Sequence, residues 1–322
     1  MKKVLILIAL LFTASLSFTQ QGQQIYIVGV HGNDAVYWLN NRRIVLPKTS
    51  EFASATAIAI SGSDVYIAGS DGRDAVYWLN GVRIVLPRTG EDAYASSIAI
   101  SGSDVYIAGS DGRDAVYWLN GARIVLPRTG ESAYASAYAS SIAISGSDVY
   151  IAGRDRSDAV YWLNGVRIVL PRTGESASAS SIAIFGSDVY IAGNDVGYDT
   201  EYRSDSDAVY WLNGRRIVLP KINEYNSIVR AITVSGSDVY IAGYCEFQVH
   251  NGIYWLNEKI YELQSDFPVN SVNAIEISGS NVYIVGFSGY YDYGAAVYWL
   301  NGRRIVLQSE TSGHAFDIVI MQ

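Results

Sequence analysis

The residues with useful chemistry in this 322-residue chain are carboxylates, tyrosines and three histidines. Asp195, Asp199, Glu201, Asp205 and Asp207 crowd into one short stretch, and close hard-oxygen ligands are what calcium requires. The stretch lacks the fixed glycine and terminal glutamate of a calcium loop, so no metal is expected there. His31 and His314 fall in loops of one repeat unit and are expected to be neighbours, but His250 lies in another unit. Zinc takes three close protein ligands, and these histidines do not supply them. The sequence has no nucleophile elbow, no HExxH, no phosphate-cradling glycine loop and no cysteine nucleophile with a partner. No catalytic residue and no cofactor is therefore assigned. A carboxylate pair for glycoside hydrolysis, which meets only in three dimensions, stays open.

Aromatic residues offer a second kind of chemistry. Tyr198 and Tyr202 fall in the stretch Asn194–Asp207, Phe247 and His250 in Tyr244–Gly252, and Tyr290, Tyr291 and Tyr293 in Phe287–Ala295. An exposed tyrosine presents flat apolar area with a polar tip, which suits stacking on sugars or gripping a peptide. The same rings would also serve to pack loops against a scaffold. The elements that carry them decide between the two.

Those elements repeat. The motif YWLN recurs at Trp38, Trp78, Trp118, Trp162, Trp211, Trp255 and Trp299, which are all the tryptophans of the chain, at spacings of 40 to 49 residues. A period near forty with several short strands per unit is the mark of a propeller. In the unit starting at Ser97, four strands are expected: A at Ser97–Ile100, B at Val105–Gly109, C at Ala115–Leu119 and D at Arg123–Leu126. SGSD joins A to B, and Asn120-Gly121 is a two-residue hairpin signal between C and D. Pro127 follows D, at an outer edge where a missing donor costs little. The runs AVYWL and RIVL are apolar on both faces, as in sheets packed between two neighbours.

The order of strands closes the ring. After its first residues the chain opens with B, C and D and ends with a lone A, Phe316–Ile320. The expectation is an all-β fold: a seven-bladed propeller of four-stranded antiparallel blades, closed when the last strand joins the first blade. Successive strands reverse, so the short A–B and C–D turns share one face. The variable B–C loops and D–A connectors share the other, and variable loops on a rigid scaffold are where binding sits. Blades two to four are near copies, and Ala133–Ser140 reads as a small duplication; the divergent loops belong to blades five to seven.

Repeated residues read as structural. The tryptophans sit inside apolar runs and are expected in the core between blades. Asp34, Asp74, Asp114, Asp158 and Asp207, before strand C, are expected to bond turn amides, with Arg73, Arg113, Arg156 and Arg203 offsetting their charge. Asp64, Asp104, Asp148, Asp188 and Asp238 are expected to do the same on the opposite face.

The unit VYIAG…AVYWLNG…IVLP resembles the repeats of exported bacterial β-propeller proteins, over nearly the whole chain after its first twenty residues. The resemblance implies the fold and export, and it implies no activity. The Gly-His and Trp-Asp marks of WD40 repeats, the paired glycines of kelch repeats and the Asp-box of sialidase-like propellers are absent.

Residues 1–19 read as a signal peptide: Lys2 and Lys3, a short apolar run from Val4 to Phe12, then small residues, with no lipid-bearing cysteine. Residues 20–322 are then one propeller domain. Removal of the two lysines takes the formal charge from −8 to −10. An acidic chain is a poor match for nucleic acid, and no segment suits membrane insertion. Cys245 is the single cysteine, so internal disulfides are excluded and a tolerated loop thiol is expected. The expected function is a non-catalytic, monomeric, exported (periplasmic, cell-surface or secreted) binding module. Its glycan or protein ligand would sit at the variable face over blades five to seven, on Tyr198, Tyr202, Phe247, His250, Tyr290, Tyr291 and Tyr293. The alternatives are a glycan-active hydrolase or lyase using loop carboxylates on that face, and a structural surface protein.

Overall fold

The structure is a computed structural model that describes residues 22–130, 136–198, 204–223, 225–247, 249–264, 267, 269–290, 293–307 and 312–322. It contains seven sheets, each of four antiparallel strands in the order A-B-C-D. Each innermost A strand touches the A strand of the next blade, and the last touches the first, so the sheets form a ring. Strand A of blade one is the C-terminal run Gly313–Met321, paired with strand B at Gln24–His31. Its register sets Ile25 opposite Ile320 and Gln24 opposite Met321. No helix of the described residues is long and apolar enough to cross a membrane.

The core is divided among the seams. Between blades one and two, Val28, Ala35 and Leu46 meet Ile58, Ile67, Val76 and Trp78, and the other seams repeat this pattern. All seven tryptophans are fully buried, as their apolar setting implies. Six of them also reach across a seam: the Trp78 indole donates to the Pro47 carbonyl at 2.8 Å, Trp118, Trp162, Trp211 and Trp255 likewise donate to the carbonyls of Pro87, Pro127, Pro171 and Pro220, and Trp299 donates to that of Gln264. The proline after strand D thus presents an acceptor to the following blade, and a buried indole N–H needs one.

The A strands begin about four residues earlier than the sequence implies: in blade three, A spans Ala93–Ser101. A one-residue bulge after Ala95 carries the strand through AYAS, and the same bulge recurs in every blade. It explains the glycine of VYIAG. At Gly69 a Cβ would lie 2.0 Å from the Ser54 carbonyl oxygen, which the bulge pushes against strand B.

A second difference bears on the site. The stretches expected as loops in blades five to seven are mostly longer hairpins. Strand B runs to Tyr198, Phe247 and Tyr290, and C starts at Ser204, Val249 and Tyr293. Added residues on both sides pair with each other, Gly197 with Asp205 and Tyr290 with Tyr293, so the ladder grows outward and leaves little free loop.

Candidate functional site

The face of short turns is fixed by one repeated device. Asn80 and Gly81 both have positive φ, 51° and 81°, as the tight C–D turn demands. The Asn80 side chain accepts the Val65 amide at 2.9 Å and donates to Asp64 at 2.9 Å. Blades three, four, five and six repeat both bonds. The Asp64 series therefore meets an asparagine side chain, where backbone amides were expected. Blade six departs at the second turn position, where Glu258 takes φ 67° and accepts the Tyr210 hydroxyl at 3.2 Å. Glu258, Tyr210, Leu219, Val239, Ile241 and Asn257 line a half-open cleft of about 250 Å³. Burial and the Glu258 charge push the Tyr210 hydroxyl up to about 12.

The variable face is held by a carboxylate that the sequence reading passed over. Asp71, at the end of strand B in blade two, is buried. It accepts the Thr49 amide and hydroxyl at 2.7 and 2.8 Å and the Ser50 amide at 2.9 Å, all from blade one's connector. Burial opposes its ionisation, but these bonds outweigh burial and hold the carboxyl at about 2. Arg83 of strand D pairs with it at 2.6 Å. Asp111, Asp155 and Asp195 repeat the arrangement with Arg123, Arg167 and Arg216. In blade six the same two positions hold Cys245 and Ile260, so both polar partners give way together. Cys245 is a buried thiol on a strand, not a loop residue, and burial pushes its ionisation up.

The Asp74 series has partners other than those expected. Asp74, Asp114 and Asp158 pair with Arg88, Arg128 and Arg172 at 2.9, 3.1 and 3.3 Å, while Asp34 and Asp207 pair with Lys48 and Lys221. Arg73 instead meets Asp92, and Arg203 lies outside the described residues. In the acidic stretch of blade five, Asp195, Asp205 and Asp207 are all used in ion pairs with Arg216 and Lys221. Asp199 and Glu201 lie outside the described residues. His31 pairs in register with Gly313, one residue from His314, so the two histidines sit close along the strands but on opposite sheet faces.

Exposed aromatic residues gather on the variable face. Phe52 and Phe267 lie in D–A connectors, Tyr94 and Tyr138 at the starts of A strands, and Tyr290 at the tip of blade seven's B–C hairpin. Only Phe185, at the end of an A strand beside the A–B turn, lies on the other face among the exposed aromatic residues described. Tyr290 is 58% exposed and meets Phe267 edge-on, with ring centroids 6.0 Å apart. Arg304 lies over the other aromatic of that pair, 5.0 Å from the Phe267 centroid. Nearer the axis, His314 stacks on Phe287 at 4.3 Å and on Phe316 at 6.1 Å. Burial lowers the His314 pKa, which favours the neutral ring.

Of the seven residues expected to bind, Tyr290 is placed with its side chain, exposed and on the expected face. Tyr198, Phe247, His250 and Tyr293 lie on the extended hairpin strands, and their side chains are outside the described residues, as are Tyr202 and Tyr291 entirely.

Residues round the axis were missed. Asp317 and Glu276 are the only acids in the seven A strands. Burial pushes Asp317 up to about 6 against the pull of two amide bonds, from Ile58 and Ile318. Burial and the Asp317 charge push Glu276 up to about 7. Their departure from the repeat, where Ser97 or Ala99 stands in blade three, was the available signal.

No family model matches the chain, and no curated protein does. Solved structures do resemble it. The β-propeller domain of the trilobed protease from Pyrococcus furiosus is 11% identical with a TM-score of 0.55, covering 89% of this chain and 92% of that one. A proposed 6-phosphogluconolactonase from Bacteroides fragilis is 11% identical with a TM-score of 0.53, covering 94% and 99%. A puromycin-hydrolyzing peptidase from Mycobacterium tuberculosis is 11% identical with a TM-score of 0.51, covering 90% of this chain but 53% of its own. The likeness is one of fold, which defines this chain as a seven-bladed β-propeller protein. The archaeal domain is described as having an open velcro topology. Here the last strand pairs with the first and closes the ring.

Proposed function

We propose that this protein is a non-catalytic binding module that acts outside the cytoplasm and takes a glycan or protein ligand on its variable face. The observation that carries the reading is the one-sided distribution of exposed aromatic rings, headed by Tyr290. A contiguous exposed apolar patch marks an interaction surface, and Phe267 and Tyr290 make one such contact on this face. The opposite face, tied down by its Asn–Asp turns, has a single such ring, Phe185, among the described residues. The extended hairpins of blades five to seven lift Tyr198, Phe247, His250 and Tyr293 on the same side. Export rests on the signal-like first nineteen residues.

The test is retention of the protein, from residue 20 onward, on immobilised glycans and cell-envelope fractions. Tyr290→Ala with Tyr291→Ala should lose at least tenfold in affinity while the melting temperature stays within about a degree. Unchanged retention would remove these rings from the site.

The raised carboxyls of Asp317 and Glu276 favour a second reading, a glycan-active hydrolase or lyase, because paired carboxyls near neutral pKa suit acid–base work. That reading requires turnover that Glu276→Gln abolishes.

A further inference from the structure

Two basic residues stand out from the repeat at the axial mouth of the variable face. Arg230 is the only arginine or lysine in the seven A strands, and Arg154 is the only one in the seven B strands. Ser70 and Ser110 take the Arg154 position in blades two and three. Both arginines fall at the end of their strands that meets the variable face.

Arg230 occupies the bulge of blade six. In blades two and seven that position ties the ring together: Thr56 donates to the Ala95 carbonyl and Asn273 to the Ala315 carbonyl, each at 2.7 Å. Arg230 makes no such tie. It is exposed, it lies 5.6 Å over the Tyr244 ring, and it donates to the Tyr244 hydroxyl at 3.2 Å. Arg154 gives its Nε hydrogen to the Arg156 carbonyl, which leaves its terminal nitrogens. Neither guanidinium pairs with a carboxylate among the described residues, although the chain is acidic overall and Arg83, Arg123 and Arg167 all stand in ion pairs.

Aromatic area lies beside each charge. Tyr138 is the cross-strand partner of Arg154 and is 47% exposed, and Tyr94 holds the same register one blade earlier. Blade five, between the two arginines, has Ser178 and Ser180 on its A strand and a buried Asn194 at the Arg154 position. Asp317 and Glu276 lie farther along their A strands, past the bulge position that Arg230 holds in blade six.

We infer that the mouth binds an anionic oligosaccharide, with one acidic group on Arg230, another on Arg154, and sugar faces against Tyr138 and Tyr94. A guanidinium fork matches a carboxylate or a phosphate, and a sugar ring matches an exposed phenol. This rests on the binding reading above and names its ligand class.

Calorimetry of the chain from residue 20 would compare an oligouronate, its methyl ester, a phosphorylated oligomannoside and a neutral dextran fragment. The expected result is binding of the oligouronate or the phosphorylated sugar, weakening at least tenfold from 50 to 300 mM salt. Arg230→Gln and Arg154→Gln should each lose about tenfold and leave the melting temperature unchanged. The uronate and phosphate arms identify which acid is preferred. Equal binding of the methyl ester, or wild-type affinity in both variants, overturns the inference while leaving the binding reading in place. Retention of none of these and of no envelope component overturns both.

Discussion

Asp317, on the last strand of the chain, accepts the amide of Ile58 in blade two at 2.9 Å. The closing strand therefore does more than complete blade one. It also reaches the next blade across the seam that closure creates, and it does so with a carboxyl that burial drives towards its neutral form.

Stability should consequently depend on pH in two opposed limbs. Asp317 and Glu276 are raised above their unfolded values, to about 6 and about 7. Their contribution is full below about pH 4 and lost as pH rises to 7. Each pKa unit is worth about 1.4 kcal/mol, so the loss is on the order of 3 kcal/mol per group. Asp71, Asp111 and Asp195 are lowered, so their contribution is present above about pH 4 and lost on further acidification. The melting temperature should peak between about pH 4 and 6. Asp317→Asn with Glu276→Gln should flatten the fall towards pH 8; a parallel fall in that double variant would contradict the assignment.

The buried aspartates at the ends of the B strands should carry large individual effects. Asp71→Ala leaves Arg83 and the Thr49 and Ser50 amides without their acceptor, at a cost of about 3–5 kcal/mol. Asp71→Ala with Arg83→Ile, which copies the Cys245–Ile260 arrangement towards an apolar pair, should recover part of that. Urea denaturation of the two variants measures the difference, and no recovery would show that the pair does not act as a unit.

Cys245 should be inert in the native protein. Its thiol is packed with Ile253 and Trp255. A thiol reagent such as DTNB should react at least a hundredfold faster in denaturant than in buffer, and rapid native reaction would place the sulfur at the surface.

Removal of the last ten residues should open the ring. Blade one would keep three strands; Ile25, Ile27 and Trp38 would lose Ile318 on one seam, and Val28, Ala35 and Leu46 would lose Val319 on the other. The expected outcome is loss of a single cooperative melt, with restoration when a peptide of sequence GHAFDIVIMQ is added in excess. A sharp melt for the shortened chain without peptide would mean that closure contributes little.

What could be read from the sequence follows from how local each feature is. The Asn80–Gly81 turn and the burial of Trp78 depend on neighbours within a few residues or on a long apolar run, and both were legible. Gly69 was not, because its cause is a carbonyl on another strand displaced by a bulge. Asp71 was missed for a similar reason: its partners Thr49 and Ser50 belong to the preceding blade. The hairpin extensions of blades five to seven looked like loops since Gly197, Asp205 and Gly294 carry turn chemistry, yet their pairing continues the ladder. Arg230 and Asp317 were visible as departures from the repeat, but only the register of the A strands places them round one axis.

The register of Gln24 against Met321 has a consequence for how the molecule can be held. Strand B starts and strand A ends at the face of short turns, so both ends of the ring leave side by side, away from the exposed rings and the two arginines. A tag, surface linkage or joined domain at either end would turn the opposite face towards solution. Biosensor capture through a C-terminal tag should therefore leave the mouth free, and a chain with its present ends joined could be cut in any variable-face connector with the blade order unchanged.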